Sequence, residues 1–467
     1  MVAVPTVDPV TTSVMWFRRD LRLADNPALL AAAAAADDVV PLFVLDQHLW
    51  GPAGDRRRAY LASSVAALDE AIGGAMVVRH GDPVDVLPAV AEQAGATTVH
   101  VAADYLPYGS RRDAAVEQAL AARGVELVRT GSPYAVAPGR LHKQDGGRFQ
   151  VYSPYYRSWL AHGWRAPAPV PDAVRWTSPL PDQGMPEVET IPDLPVAGEG
   201  EARHIWAGFL AASEPGSGVG GYGTNRERPD LPGTTRMSVH LKYGEVHPRT
   251  MLADLAAVPA EQAAGAETLR GELAWRDFYA DVLFARPDSA RDYYKPAMAG
   301  MRFDSGPAAD AALAAWQQGR TGYPIVDAGM RQLATEGWMH NRLRMVVGSF
   351  LVKDLHQEWQ RGARWFLQQL VDGELSSNQH GWQWIAGTGT DAAPYFRIFN
   401  PTTQGERYDP HGDYVRRYVP ELRHIAGKAV HSPWKVADGY AHGYPRPIVD
   451  HAAERREALA RFAEVGG

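Results

Sequence analysis

The chain of 467 residues contains no cysteine, which excludes disulfide bonds and thiolate metal sites. No apolar run reaches the length of a membrane-spanning helix, about 18 residues. Residues 1–13 lack the basic segment and following apolar segment of a secretion signal. We therefore expect a cytoplasmic protein without a membrane partner. Any redox chemistry would need a bound cofactor or aromatic side chains.

The chain also has no excess of positive charge, since its net charge is −7. Such a charge argues against a protein that coats nucleic acid. Residues 1–130 contain 11 Lys and Arg against 16 Asp and Glu, whereas residues 131–467 contain 36 against 38. Between residues 331 and 365 basic side chains outnumber acidic ones. This segment is either a local basic patch or an ordinary solvated helix face.

The length exceeds what one hydrophobic core supports, so we expect at least two domains. Up to about residue 130, short β-rich runs (14–17, 39–45, 76–79, 98–102 and 126–129) alternate with Ala-rich helical stretches such as 28–36 and 113–123. This alternation predicts a Rossmann-like parallel α/β sheet. Asn26 and Pro27 are typical of a helix start. Residues 133–195 are rich in Pro and Gly and predict a long surface connection.

Apolar residues recur at helical spacing after residue 201, over 269–284, 324–357 and 363–371. The predicted domains are therefore an α/β domain at 1–132, a linker at 133–200 and an all-α domain at 201–467. Gly216, Gly218 and Gly221 match a dinucleotide-binding spacing, but neither a predicted strand before them nor a helix with an acidic partner after them supports it. We interpret these glycines as a flexible approach to Tyr222.

Residues 372–384 crowd two carboxylates, three amides and two indoles into thirteen positions. Burying polar groups without partners costs roughly 2–7 kcal/mol each, so this density favours a ligand site over a packed core corner. Residues 233–238 combine backbone N–H groups, hydroxyls and a guanidinium. That combination is typical of a phosphate cradle, or of a simple helix cap.

Two helical segments present further polar faces. Glu272, Trp275 and Arg276 share one face by their spacing, which suits a flat polar ligand or an exposed ion pair over a buried indole. Asn341 and Met345 share another face. That face is either part of a ligand site or a helix surface of mixed polarity. An aromatic loop at 394–401 follows.

These motifs together resemble the photolyase/cryptochrome family. The matching stretches, in family order, are Trp16–Arg22, Thr321–Asp327, Met339–Met345, residues 372–384 and Arg397–Pro401. The C-terminal half is similar to bacterial class I cyclobutane pyrimidine dimer photolyases. The resemblance implies an antenna-binding α/β domain, an all-α domain that binds FAD, and light-dependent DNA repair. Excited reduced FAD would split pyrimidine dimers by electron transfer, and no metal is required.

The resemblance also assigns site residues. The predicted FAD-binding residues are Tyr222, Thr234, Thr235, Arg236, Met237, Ser238, Arg344, Asp372, Gly373, Glu374 and Asn378. The predicted DNA- and lesion-binding residues are Glu272, Trp275, Asn341, Arg342, Met345 and Trp384. The predicted catalytic residues are Glu272, Asn341, Asn378, Trp382 and Trp359. The predicted antenna residues are Asp46, Arg57, Asp104 and Lys242, for an 8-hydroxy-5-deazaflavin or, alternatively, methenyltetrahydrofolate.

Within this assignment Asn378 faces flavin N5, where a neutral amide favours repair over photoreceptor signalling. Two departures stand out. Photoreduction commonly uses three tryptophans, and here Trp382 and Trp359 match two, while Phe303 is the aromatic residue nearest the third position. Either a tyrosine or another tryptophan would end the chain. Gln379-His380 is the second departure, and a histidine near flavin would alter its protonation in a direction that the sequence does not give.

The rival functions are a cryptochrome-like blue-light receptor and a (6-4) photolyase. Against the receptor stand the lesion-pocket residues and the lack of a long tail after Phe462, and against the (6-4) enzyme stands Asn341, where a histidine is usual. We expect a monomer without an obligate protein partner, acting on dimer-containing DNA at the bacterial nucleoid.

Overall fold

The computed structural model describes residues 10–212, 214, 216–390 and 396–466. A five-stranded parallel sheet occupies the first part of the chain, in the order β3-β2-β1-β4-β5. Its strands are β1 (Thr12–Phe17), β2 (Asp38–Leu45), β3 (Val77–His80), β4 (Thr98–Val101) and β5 (Glu126–Arg129). Its helices are α1 (Pro27–Ala35), α2 (Gln47–Trp50), α3 (Asp55–Ala71), α4 (Pro83–Ala94) and α5 (Pro107–Ala121).

The predicted α/β sheet is confirmed, and its strands match the predicted runs to within two residues at each end. β1 lies in the centre, and apolar clusters pack on both faces of the sheet. This double burial explains why the strands read as continuous Val and Leu runs. As predicted, the Asn26 side chain caps α1 by accepting the Leu29 N–H at 3.2 Å, with Pro27 in the first turn.

The connection after β5 is not entirely irregular, because it contains helix α6 (Tyr152–His162). Tyr155 and Trp159 of α6 are buried, and the Trp159 indole donates to Asp277 Oδ2 at 3.0 Å. Aromatic packing thus fixes a helix where the Pro and Gly content of the neighbouring stretches predicts none.

The second part of the chain is helical, as predicted. Its helices are α7 (Glu199–Ala211), α8 (Gly218–Asn225), α9 (Ser238–Tyr243), α10 (Pro248–Ala256), α11 (Ala263–Ala285), α12 (Pro307–Gln317), α13 (Pro324–Glu336), α14 (Asn341–Lys353), α15 (Trp359–Gln369), α16 (Leu375–Ala386), α17 (Pro401–Tyr408), α18 (Asp413–Tyr418) and α19 (His451–Gly466). Short 3-10 helices lie at Ala260–Gln262, Pro287–Ala290, Pro296–Gly300, Pro420–Leu422, Gly427–His431 and Pro433–Lys435. In the described ranges, none of these helices combines the length and apolarity that crossing a membrane requires.

The predicted helix over 324–357 breaks into α13 and α14. Gly337 ends α13 in the left-handed region, with φ of 63°, which glycine adopts at little cost. The His340 ring then caps α14 by accepting the Arg342 N–H at 3.2 Å. A helix rather than a strand precedes Gly216, so discounting the dinucleotide motif is correct. α8 nevertheless begins at Gly218, where we had expected a flexible approach.

Candidate functional site

A cavity of about 510 Å³ lies between α8, α9, α11, α14 and α16. Every residue predicted for FAD or lesion binding lines it, and so does Trp382. Of the predicted catalytic residues, Trp359 alone does not line it. The cavity also contains residues that sequence reasoning missed, among them Arg226, Glu227, Tyr279 and Trp338. Tyr222 and Ile385, which are 163 positions apart in the chain, therefore lie at one concave surface.

A buried ion pair forms one wall of the cavity. Arg344 donates to Asp372 Oδ2 at 2.8 Å, and the Asp372 side chain is only 2% exposed. Asp372 Oδ1 is buried and has no hydrogen-bond partner among the described residues. Buried carboxylate oxygens normally have partners, so Oδ1 is a free acceptor at the cavity wall.

Glu374 is tied to both parts of the chain. Its carboxylate accepts from Arg276 Nε at 3.0 Å and forms an ion pair with Arg19, which follows β1. The hydroxyl of Tyr134 lies 3.4 Å away. Burial alone would raise the pKa of Glu374, but Arg276, Arg19 and Lys242 outweigh it and lower the pKa to about 2. Glu374 is therefore a firmly ionised part of the wall.

The stretch from Thr234 to Ser238 forms a second wall. Arg236 has a left-handed φ of 52°, its guanidinium lies 4.2 Å from the Trp338 ring centroid, and it pairs with Glu336 at 3.0 Å. The Trp338 indole donates to Ser238 Oγ at 3.3 Å. Strained backbone of this kind is typical of ligand-binding segments, in agreement with the predicted cradle.

Two ion pairs lie at the part of the cavity wall that contains Glu272. Glu272 pairs with Arg226 at 2.5 Å, and burial raises the pKa of Glu272, although Arg226 opposes the change. Arg342 forms an ion pair with Glu227 and lies 4.5 Å from the Tyr408 ring centroid.

Arg342 also lines a neighbouring groove of about 540 Å³. Among the residues that the structure describes, no acidic residue lines that groove, whereas Arg397, Arg407 and Arg455 do. Pro394 and Tyr395 of the predicted aromatic loop lie outside the described residues, but the loop's Phe396 and Phe399 also line the groove. Four guanidiniums thus face one space next to the cavity.

Asn378 lines the cavity, and its amide nitrogen donates to the Ala363 carbonyl at 3.1 Å and to Gln379 Oε1 at 2.8 Å. These donor bonds fix the orientation of the amide. His380 packs away from the cavity surface, with Nε2 3.4 Å from Ser289 Oγ and its ring stacked on Tyr279 at 5.8 Å. Burial lowers the pKa of His380 to about 4, so the imidazole is neutral at pH 7.

The two predicted electron-carrying tryptophans lie on neighbouring helices. Trp382 packs so tightly on Gly362 that an added Cβ would lie 2.2 Å from the indole, and Trp359 precedes Gly362 by one turn of α15. Trp359 is fully buried, and its ring centroid lies 6.2 Å from that of Tyr293. Tyr293 in turn stacks on Phe303 at 6.4 Å. Sequence reasoning had allowed a tyrosine at this point without identifying Tyr293.

None of the four predicted antenna residues is among the described residues that line the cavity, although Lys242 lies close enough to Glu374 to help lower the pKa of that carboxyl. Arg112, which the sequence did not single out, contacts Asp104 at 3.3 Å and Asp46 at 3.9 Å. Burial, together with the charges of Arg19 and Arg57, lowers the pKa of Lys242 to about 7. The predicted carboxylates are thus brought together through Arg112.

Comparisons with known proteins show the family of the chain. Residues 13–172 match the family described as DNA photolyase, and residues 269–464 match the FAD binding domain of DNA photolyase. The chain is 42% identical to a Streptomyces griseus protein named deoxyribodipyrimidine photo-lyase, over 98% of this chain and 100% of that protein.

Solved structures are similar to the chain over nearly its whole length. A bacterial class III photolyase from Agrobacterium tumefaciens superposes with a TM-score of 0.88 at 34% identity, covering 99% of each chain. An archaeal photolyase from Sulfolobus tokodaii, described with two FAD molecules, superposes with a TM-score of 0.85 at 26% identity, covering 97% of this chain and 100% of that one. The chain belongs to the DNA photolyase family.

Proposed function

We propose that the chain is a light-dependent deoxyribodipyrimidine photo-lyase that splits cyclobutane pyrimidine dimers in DNA. The observation that carries this proposal is the single cavity lined by both the predicted flavin residues and the predicted lesion residues. Electron transfer needs its partners close together, and one shared cavity of about 510 Å³ meets that need. Relatives named deoxyribodipyrimidine photo-lyase and photolyase support the same activity.

The cavity residues fit FAD. Asp372 Oδ1 is a buried acceptor that lacks a protein donor, Asn378 adds a fixed amide, and the stretch from Thr234 to Ser238 offers hydroxyls and a guanidinium for phosphates. The volume is within the range of cofactor pockets, roughly 300–1,000 Å³. Reduced FAD, excited by light, would supply the electron that breaks the dimer.

The lesion residues have separate tasks in this proposal. Trp275 and Trp384 supply flat apolar surfaces for the joined pyrimidines, and Asn341 and Met345 contact them. Glu272, whose pKa is raised by burial, would in its protonated form donate a hydrogen bond to the dimer and stabilise the negative charge that develops on it. Flipping a damaged pair out of the duplex has a reduced cost, because such a pair is weakly stacked.

The guanidinium groove beside the cavity suits the DNA backbone. Arg342 lines both spaces, so phosphates next to the flipped lesion would meet Arg342 first and then Arg397, Arg407 and Arg455. Phosphate contacts of this type position DNA without reading its sequence. This local concentration explains how a chain with a net charge of −7 binds DNA.

We infer that electrons reach the cavity from Tyr293, through Trp359 and then Trp382. Tyr293 takes the place of a third tryptophan because it contacts Trp359 and is oxidised more readily than Phe303.

We further propose a monomer that works without an obligate partner, and a second chromophore bound near Asp46, Arg57, Asp104 and Lys242, of deazaflavin or folate type. The class I assignment stays a prediction, since one solved bacterial relative is a class III photolyase.

The test uses purified protein with bound, reduced FAD and an oligonucleotide that contains one thymine dimer. Under blue light the thymine absorbance should recover, while a dark sample should not change. Absence of recovery with FAD bound and reduced would refute the proposal. Repair of a (6-4) lesion instead, or tight FAD binding without any repair, would favour the (6-4) enzyme or the light receptor respectively.

A further inference from the structure

One face of the Trp275 indole is covered by an aromatic ring from the connection between the α/β and helical parts. The ring of Tyr152, at the start of α6, stacks on Trp275 with a centroid distance of 3.7 Å and an interplanar angle of 6°. Trp275 lines the cavity from α11. The segment predicted as a simple linker therefore reaches the candidate site.

Tyr152 is itself held in place. Its hydroxyl donates to the carbonyl oxygen of Gly271 at 2.7 Å, one helical turn before Trp275. Its ring lies nearly parallel to that of Tyr156, 17° apart, with a centroid distance of 5.6 Å. A hydrogen bond thus fixes the phenol to α11. Tyr152 itself belongs to α6, where its ring also stacks on that of Tyr156.

Trp275 has other neighbours, but they do not fix its plane in the same way. Phe278 meets the indole edge-on at 5.6 Å and Tyr279 meets it at a tilt of 46°. Both lie on α11 itself. A half-buried indole at a cavity edge has rotameric freedom that ligand binding would otherwise remove. A parallel ring anchored on a second helix removes that freedom in advance.

We propose that Tyr152 is a positioning residue that holds the Trp275 indole in the plane needed to stack on the flat face of a pyrimidine dimer. The inference rests on the proposed function, because it takes the dimer as the occupant of the cavity beside Trp275. Tyr152 need not touch the DNA. It acts by ordering an aromatic surface before the lesion arrives, so it contributes to recognition of damaged over undamaged DNA.

The experiment measures dissociation constants in the dark, with FAD bound, for duplexes with and without one thymine dimer. Tyr152→Ala and Tyr152→Leu should each weaken dimer binding roughly tenfold, about the effect of losing one ordered aromatic stack, and leave binding of undamaged DNA unchanged. Tyr152→Phe keeps the ring and should restore near-normal binding. The leucine variant retains apolar volume, so it keeps the test valid if the alanine variant folds poorly.

A double-mutant cycle separates positioning from general packing. In a Trp275→Ala background, Tyr152→Leu should add almost nothing, because the indole that it orders is gone. Independent, multiplying effects of the two substitutions would overturn the inference, and so would normal dimer binding by Tyr152→Leu. Failure of the proposed function looks different: the wild-type protein itself would then bind dimer-containing and undamaged DNA equally well. Failure of the inference about Tyr152 leaves the preference of the wild-type protein intact.

Discussion

Replacing Glu374 with glutamine removes the charge on which Arg19 and Arg276 converge. The pKa of this carboxyl falls from its ordinary 4.5 to about 2 in the folded protein, and each pH unit of such a difference is worth about 1.4 kcal/mol. The ionised carboxylate therefore stabilises the native state by about 3 kcal/mol at pH 7. Glu374→Gln should lose that amount, since the side chain is only 7% exposed and solvent screens it little.

The pH dependence follows from the sign of the change. A lowered pKa in the native state gives stability that is fully present above about pH 4.5 and disappears as the pH falls toward 2. The difference between wild type and Glu374→Gln should shrink from about 3 kcal/mol at pH 7 to about 2 kcal/mol at pH 3.5. Urea unfolding of the FAD-bound protein, followed by circular dichroism, measures this difference.

A matched control is Glu421→Gln. Glu421 also forms a two-point ion pair, with Arg331 at 2.7 and 3.0 Å, but its side chain is 27% exposed. A surface pair of this kind is worth about 0–1 kcal/mol. A loss for Glu374→Gln no larger than that of the control, or a loss that does not change with pH, would contradict the reasoning about Glu374.

Three further variants test the site. Glu272→Ala should keep FAD and lose repair roughly tenfold or more, since a hydrogen bond to a charged group is worth about 1.5–3 kcal/mol; FAD absorbance and repair per photon check this. Tyr293→Phe should abolish the tyrosyl radical seen by electron paramagnetic resonance after illumination, whereas Tyr294→Phe should not, because Tyr294 packs on His380 instead. Arg344→Ala should lower FAD content and cost about 1–3 kcal/mol of stability, because Asp372 becomes a buried carboxyl without its cation.

Each of these variants has an outcome that counts against its premise. Unchanged repair in Glu272→Ala would remove Glu272 from the lesion site. A tyrosyl signal that survives in Tyr293→Phe would place the terminal donor elsewhere. Full FAD content in Arg344→Ala would mean that Asp372 holds its place without the guanidinium, and that the cofactor does not depend on the pair.

Local sequence signals account for much of the fold. The strands were predictable because parallel strands buried on both faces are short apolar runs, and α1 because Asn26 and Pro27 carry the start signal. The residues that line the cavity were predictable because polar groups crowd into residues 372–384, and because several motifs resemble one family in order. These signals lie within a few positions of one another in the chain.

Contacts between distant segments were not predictable in this way. Glu374 pairs with Arg19 across 355 positions, and no periodicity links the two. Tyr152 lies in a stretch whose composition indicates a loop, so its stack on Trp275 leaves no local trace. Tyr293 likewise becomes identifiable only when the fold places it on Trp359. Tertiary packing brings such pairs together, and no local pattern in a single sequence links two residues that are far apart in the chain.

The attachment of Glu374 to Arg19 and Tyr134 also bears on modularity. A fragment that begins at residue 201 would keep Arg276 but lose both of these partners from the first part of the chain. It would lose Tyr152 as well, and with it the stack on Trp275. The helical half is therefore not a self-sufficient minimal enzyme. Exchanging the α/β part for that of another protein would require these contacts to be transferred along with it.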